Sequence, residues 1–325
     1  MVIPNILVVG SLATDLTVKT KRMPKSGETV IDGIDYITAC GGKGANQAVQ
    51  ASRLGAEVTL LGKIGNDING KQILESIKAS GINTEYIIID KNACSGMAFI
   101  ILEKKDNEHT ENRIIVVPGA NMRIQLKEVN FLKEVISKYD MVMLEQEIPA
   151  QINEAVAHLA RKKGIPVMLN PAPSRNISDT LLKDITYISP NEHEAADITG
   201  VEIKKSKDSV DLRTVKEASS VLLEKGAENV IITLGDKGAS YMNKDEFIYL
   251  PCVKIKKAAD PTAAGDSFIG AFCTGICSKM NKREALKFAS YAAAMTVSRI
   301  GAQPSLPYYD EITEFAKGYG DSFSL

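Results

Sequence analysis

The chain has 325 residues, 44% of them hydrophobic and 24% charged, which is ordinary globular usage and enough for one large domain or two small ones. With 39 basic and 40 acidic residues the net charge is −1, so no global field favours nucleic acid or an anionic membrane surface. The five cysteines are odd in number and lack paired metal-type spacing, and the N-terminal run MVIPNILVVGSLATD has no basic leader and is too short to span a bilayer; these features predict a cytoplasmic protein with reduced thiols.

Apolar runs of strand length alternate with segments of helical period. Ile6 to Gly10 predicts a buried strand, and Ala45 to Leu54 a helix stopped by Gly55. Val58 to Leu61 is a second strand, followed by a helix over Gly70 to Ala79 that Gly81 closes. Met141 to Leu144, Val167 to Asn170, Tyr187 to Ser189 and Val230 to Leu234 predict further buried strands. Helices are expected over Ile152 to Lys163, Glu192 to Thr199 and Val215 to Lys225, then two in succession over Asp266 to Lys279 and Arg283 to Arg299. Cys273 and Cys277, one turn apart in the first of these two, are read as small core residues. The alternation predicts a three-layer α/β/α domain around a mostly parallel sheet. Two segments break the rhythm. Leu16 to Ala39 reads as extended strands around the turn PKSGE, and Gly96 to Val117 as a hairpin, GMAFIILE and RIIVV around the polar tip KKDNEHTEN. Together, over about 16–39 and 96–117, they predict a small β-sheet lid on a single core domain.

Three stretches carry chemistry. DPTAAGDSF, Asp260 to Phe268, is a loop of small residues feeding a helix. Ala263, Ala264 and Gly265 leave their amides open to close approach, so the loop is an anion cradle with Asp266 beside it. An acid at a helix start is favourable whatever the function. Here it also sits where a phosphoryl transfer needs a carboxylate to take the attacking hydroxyl's proton. GGKGANQAV, Gly41 to Val49, is neither a P-loop nor a dinucleotide fingerprint. It offers bare backbone, the cation of Lys43 and the amide of Asn46, which suits a polyhydroxy ligand. SPNEHEA, Ser189 to Ala195, places Asn191 and Glu194 three apart on one helical face. That spacing fits a capping box, and equally an oxygen shell for hydrated Mg²⁺. His193 lies on another face, His109 at the hairpin tip and His158 in mid-helix, so no three-histidine metal site is expected.

GSLATD, SGET, GGKGANQA, NPAP, PNEHEA, ITLGDKG, DPTAAGDSF and GAQPS occur in one order between about residues 4 and 317. In this order they resemble the ribokinase-like, phosphofructokinase-B-type carbohydrate kinases, and NPAP and GAQPS resemble the ribokinase branch of that family. The resemblance implies an ATP-dependent phosphorylation of the 5-hydroxyl of D-ribose on a central sheet with a β-lid. It implies Asp266 as catalytic base and the amides of Ala263, Ala264 and Gly265 as an anion hole. Ala13, Thr14, Asp15, Gly41, Gly42, Lys43, Asn46 and Glu147 would line the sugar, with Glu145 the alternative to Glu147. Asn191 and Glu194 would place Mg²⁺ through water. Thr233, Leu234, Gly235, Asp236, Lys237, Gly238 and Ser290, with Asn191, Gly265 and Asp266, would meet ATP. Asp260, Thr262, Thr296, Arg299, Gly301 and Ser305 would surround an activating K⁺. The resemblance also implies a homodimer paired through the lids. Two positions depart from the family's pattern. Ala13 stands where many members have asparagine, and Pro261 follows Asp260 where threonine is usual. Kinases for deoxyribose, another free sugar or a nucleoside stay open, as does a non-catalytic sugar or nucleotide sensor.

Overall fold

The computed structural model describes residues 3–104 and 110–325. Its large sheet has nine strands in the order β13-β12-β11-β10-β9-β8-β1-β4-β5. Seven are parallel: β1 (Asn5–Val9), β4 (Glu57–Gly65), β5 (Ile87–Asp90), β8 (Met141–Glu145), β9 (Val167–Asn170), β10 (Tyr187–Ile188) and β11 (Asn229–Thr233). The antiparallel strands β12 (Ala239–Met242) and β13 (Phe247–Leu250) extend one edge.

The parallel strands read as unbroken apolar runs because both faces are covered. In β1, Ile6 and Val8 enter the core under α1 (Lys43–Arg53), α9 (Ala264–Cys277) and α10 (Lys282–Val297). Leu7 and Val9 enter the opposite core, with α5 (Ala150–Lys162) and α8 (Leu212–Glu224). Cys273 and Cys277 are buried in the first of these cores, as expected of small apolar residues. The helices start and stop on local signals. Asp67 caps α2 (Ile68–Ala79) by accepting from Gly70 N at 2.7 Å, and Gly81 ends it at φ 76°. In α7 (Glu192–Thr199) the Asn191–Glu194 capping box forms on both sides. Among the described residues no helix is long and apolar enough to cross a membrane.

The smaller sheet has four strands in the order β3-β2-β6-β7. These are β2 (Ala13–Thr20), β3 (Gly33–Gly41), β6 (Gly96–Lys104) and β7 (Thr110–Val117). The two irregular segments thus join in one sheet, through the parallel pairing of β2 with β6. The expected hairpin tip shrinks, because pairing continues to Lys104 and Thr110; the remaining tip, with His109, lies outside the described residues.

Several elements differ from the periodicity reading. β5, β12, β13 and α11 (Tyr309–Lys317) were not expected, and β10 stops at Ile188 rather than Ser189. Leu234 leaves β11 because its N–H turns to the Gly238 carbonyl at 2.8 Å. One close approach positions the site. A Cβ on Gly44 would stand 2.6 Å from Ser11 N and 2.7 Å from Gly10 Cα, so the first turn of α1 lies directly on the backbone leaving β1.

Candidate active site

The chain leaves the parallel strands at one edge of the sheet, where open α/β sheets bind ligands. There β1 delivers Ser11, β8 delivers Glu145 and Glu147, β9 delivers Asn170, β10 leads to Asn191, and β11 ends at Thr233. Above this edge lies a cavity of about 400 Å³, with Asp15, Lys43, Asn46, Glu147 and Asp266 in its wall. Ala98, Ile100, Ile114 and Val116 of the smaller sheet form its apolar roof. A larger groove of about 740 Å³ lies at the far end of α9, between β13 and the start of α10. Its one carboxylate, Glu246, is taken by Lys282 at 3.0 Å, and none of the motif residues reaches it.

Asp266 is 5% exposed, in the first turn of α9. Three side-chain amides hold its carboxylate: Asn46 Nδ2 donates to Oδ2 at 3.0 Å, while Gln47 Nε2 and Asn170 Nδ2 donate to Oδ1 at 3.1 and 3.3 Å. Burial raises its pKa, and Lys43 with the Asn46 and Gln47 amides draws part of that back. Burial opposes the charge of Lys43, but Asp266, Glu147, Glu194 and Glu145 outweigh it and raise the ammonium's pKa. Asp15 is pushed up to about 7, first by burial and then by Glu147 and Asp266. A Cβ on Gly41 would stand 2.3 Å from Asp15 Oδ2, so any side chain there would push the Asp15 carboxyl aside.

The structure separates the two glutamates at the end of β8. Glu147 faces the cavity and Glu145 does not. Glu147 Oε2 accepts from Ser11 Oγ at 2.6 Å and from Lys43 N at 3.1 Å. Glu145 is fully buried behind it, and burial with the charge of Glu147 drives its pKa well above the usual carboxylate range. Ala13 reaches the cavity with a methyl group only, while Thr14 is buried without a partner for its hydroxyl among the described residues.

The DPTAAGDSF loop is built as expected, with one change. Ala263 takes the left-handed conformation, φ 61° and ψ 7°, which swings the chain into α9. The amide of Ala264 donates to the Pro261 carbonyl at 3.2 Å, so of the three proposed anion-hole amides this one is turned inward. Asp260 bridges two distant segments. Its Oδ1 accepts from Thr262 N at 2.9 Å, across Pro261, and its Oδ2 from Gly301 N at 3.0 Å. Pro261 thus occupies the middle of an Asx turn, where a missing N–H costs nothing.

The other candidates for a monovalent cation divide. Thr296 Oγ1 pairs with Ser267 Oγ at 2.8 Å and with the Ala292 carbonyl, and the Arg299 guanidinium pairs with Glu311. The Arg299 guanidinium is a donor and cannot ligate an ion, while the Thr296 carbonyl accepts from Arg299 N and keeps a second lone pair. Ser305 Oγ donates to the Ala302 carbonyl at 2.7 Å. The donors that fit a hard cation are the lone pairs of Asp260 and backbone carbonyls around Thr262 and Gly301.

On the nucleotide side, Thr233 N donates to the Pro190 carbonyl at 3.1 Å, which brings the ITLGDKG loop against Asn191. Asn191 Oδ1 and Glu194 Oε2 are used in the capping box. Burial raises the pKa of Glu194, with the Asn191 N–H drawing part of it back. Its second oxygen remains as an acceptor for the water of a hydrated dication, while the Asn191 amide nitrogen is a donor that suits a phosphate oxygen. Leu234 is buried in the core and offers backbone only. Asp236 and Lys237 pair at 2.7 Å, and Gly238 turns at φ 101°. Ser290 lies on α10 with its hydroxyl on the Leu286 carbonyl.

Sequence reasoning missed Gln47, Asn170, Ser11, Asn121 and Arg175. Gln47 and Asn170 stood inside quoted motifs, yet their shared target is set by packing, with α1 bringing Gln47 and the end of β9 bringing Asn170 to the start of α9. Asn121 clamps both backbone groups of Leu12, at 3.0 and 2.8 Å, where the smaller sheet leaves the large one. Arg175 is a cation at the cavity rim.

Comparison with known proteins agrees with this geometry. The pfkB family carbohydrate kinase model matches residues 4–308. A ribokinase of Haemophilus influenzae is 39% identical over 313 residues, covering 96% of this chain and 98% of that protein. A deoxyribokinase of Salmonella typhi is 33% identical over 96% of this chain and 98% of its own length. The structure of an Arabidopsis thaliana ribokinase complexed with ribose and ATP superposes with a TM-score of 0.86 at 30% identity, covering 99% of this chain and 100% of that one. With a family model matched over nearly its whole length and such relatives, this chain belongs to the pfkB family of carbohydrate kinases.

Proposed function

We propose that this protein transfers the γ-phosphoryl group of ATP to the 5-hydroxyl of D-ribose, giving ribose 5-phosphate and ADP. The observation that carries the reading is Asp266, a buried carboxylate held by three side-chain amides in the wall of a polar cavity, at the start of a helix. In that place it takes the proton of the attacking hydroxyl. Asp15, Lys43, Asn46 and Glu147 hold the sugar hydroxyls, with the backbone of Ala13, Thr14, Gly41 and Gly42 around them. The amides of Ala263 and Gly265 face the transferring phosphoryl group, and that of Ala264 joins them once released from Pro261. Thr233 to Gly238, Asn191 and Ser290 receive the nucleotide. Glu194, with Asn191 beside it, would hold Mg²⁺ through water, and the ion would neutralise polyphosphate charge. The Asp260 and Gly301 segments would hold K⁺, which would steady the loop between them.

The smaller sheet acts as a lid on one core domain. Its outer face supports pairing with a second copy, since Tyr36 and Ile115 are 70% and 64% exposed on the edge strands β3 and β7. Five free cysteines agree with residence in the cytoplasm.

A second reading, phosphorylation of 2-deoxyribose, is favoured by Ala13 and Ala98, which offer the sugar no hydrogen-bonding side chain. Coupled ADP release with ribose, 2-deoxyribose, fructose and adenosine separates the cases. The highest kcat/KM is expected with ribose, and a preference for 2-deoxyribose selects the second reading. Binding without turnover of any of the four indicates a sensor. For the cation, KCl titrated against N-methylglucamine chloride at equal ionic strength is expected to raise turnover several-fold; a flat response removes K⁺ from the site.

A further inference from the structure

Behind the cavity wall lies a hydrogen-bonded set of groups that ends at Glu147. Ser11 and Glu145 are both fully buried, and neither lines the cavity. Glu145 Oε1 accepts from Ser11 N at 2.8 Å, and its Oε2 accepts from Glu147 N at 2.7 Å. Ser11 Oγ donates in turn to Glu147 Oε2 at 2.6 Å and accepts from Gly44 N at 3.3 Å. The ring closes through Glu147 Oε2, which also accepts from Lys43 N at 3.1 Å.

Two features set this ring apart from ordinary loop packing. It engages one oxygen of Glu147 twice and leaves Oε1 to the cavity, so the carboxylate has a single orientation. It also ties two backbone amides to the two oxygens of one fully buried carboxyl group, a costly placement for an acid. Glutamine has one acceptor oxygen, and its NH₂ would face the N–H of Ser11 or of Glu147, donor against donor. Local rules are broken in this way where a site must be held rigidly.

We infer that Ser11 and Glu145 are positioning residues: they aim Oε1 of Glu147 into the sugar pocket and so set sugar affinity without touching sugar or nucleotide. The inference rests on the sugar-kinase reading for its kinetic form, but its geometric form stands alone. Ser11 and Glu145 join three segments, the exit of β1, the entry of α1 and the end of β8, and of Ser11, Glu145 and Glu147 only the last lines the cavity.

The test is a double-mutant cycle between Ser11→Ala and Glu147→Gln. In the native background Ser11→Ala is expected to raise KM for ribose about 10- to 100-fold, the loss of a hydrogen bond to a charged group. KM for ATP and kcat should stay within about twofold. In the Glu147→Gln background the same change should move KM for ribose by less than about threefold, because its target is already altered. An equal effect in both backgrounds, or a matching rise in KM for ATP, overturns the inference and leaves a purely structural role. Glu145→Gln, run through the same cycle, repeats the test from the other end of the ring. A crystal structure of Ser11→Ala supplies a readout independent of activity. The Glu147 carboxylate should rotate away from Lys43 N; an unmoved carboxylate refutes the positioning role even if the protein turns over some other sugar. Absence of turnover by the native protein, with the carboxylate displaced in the variant, refutes the sugar-kinase reading alone.

Discussion

Replacing Asp266 by asparagine is expected to lower kcat by about 10²- to 10⁴-fold, the usual contribution of a positioned general base. KM for ribose should change only a few-fold, because on the proposed reading Asp15, Lys43 and Glu147 would still hold the sugar. Asparagine keeps the size of the side chain and one acceptor oxygen. Its NH₂ would face the amides of Asn46 or of Gln47 and Asn170, all of which donate in the native protein. Some stability should therefore be lost as well, and circular dichroism with thermal melts separates that from the chemistry. Single-turnover rates with saturating ribose and ATP are the deciding measurement. A variant that keeps more than about a tenth of the native rate would remove Asp266 from the base role. The pH profile should agree: burial raises the Asp266 pKa, so kcat falls on the acid side as the carboxyl takes up a proton.

The second large effect concerns Asp15. In the empty pocket its pKa is pushed up to about 7, chiefly by burial and then by the charges of Glu147 and Asp266. On the proposed reading an ionised Asp15 would accept from sugar hydroxyls, and a protonated one would have to donate to one of them. Ribose affinity is therefore expected to weaken as pH falls below about 7. Asp15→Asn should raise KM for ribose about 10- to 100-fold at pH 8 and flatten the pH dependence. Stability should move the other way. The folded chain keeps a proton on Asp15 between the unfolded value, roughly 3.9, and about 7. The native state then binds more protons than the unfolded state, so stability falls as pH rises through that window. At pH 8 the ionised side chain costs the empty fold roughly 2–4 kcal/mol, and Asp15→Asn removes the cost. Melting curves of the sugar-free protein should place the variant above the native chain at pH 8 and level with it near pH 4. Equal melting at pH 8 would mean that Asp15 is not strained in the empty pocket. A residue that weakens the fold and strengthens binding is the expected signature of a site group.

The central parallel strands were legible because burial on both faces writes them as continuous apolar runs: VMLN at β9 and the helix EHEAADIT were read to the residue. The edge pair β12 and β13 was not. ASYM and FIYL are four residues each, and the connection NKDE carries no glycine to mark a hairpin. The smaller sheet was visible as two extended segments, but the parallel pairing of Ala13 with Gly96 joins residues that no local pattern connects. The site divides along the same line. Asp266 and Lys43 stood out because small residues bared the backbone around them, whereas Asp15 was reached only through the family resemblance. Gln47 and Asn170 did not, since an amide gains its meaning only from the carboxylate it meets, 219 and 96 positions away. Asn46 was read as a sugar group, and the structure gives it a prior engagement with Asp266. Glu145 and Glu147 were indistinguishable by type and near in position. Strand alternation would put both on one face; they separate because β8 ends at Glu145 and the chain bends before Glu147.

The contact between Gly10 and Gly44 bears on how this site can change. A side-chain carbon at either position would meet the other residue's backbone within 2.8 Å. Two absent carbons therefore fix the distance between the first strand and the helix that carries Lys43 and Asn46. Catalytic precision here depends on empty volume as much as on polar groups. A methyl at Gly44 would displace Lys43, Asn46 and Gln47 as one rigid piece, shifting the sugar contacts and the Asp266 cradle together. Altered sugar preference is thus accessible through the rim residues Ala13, Ala98 and Arg175, which can be exchanged singly, and closed off at the glycines, where every contact moves at once.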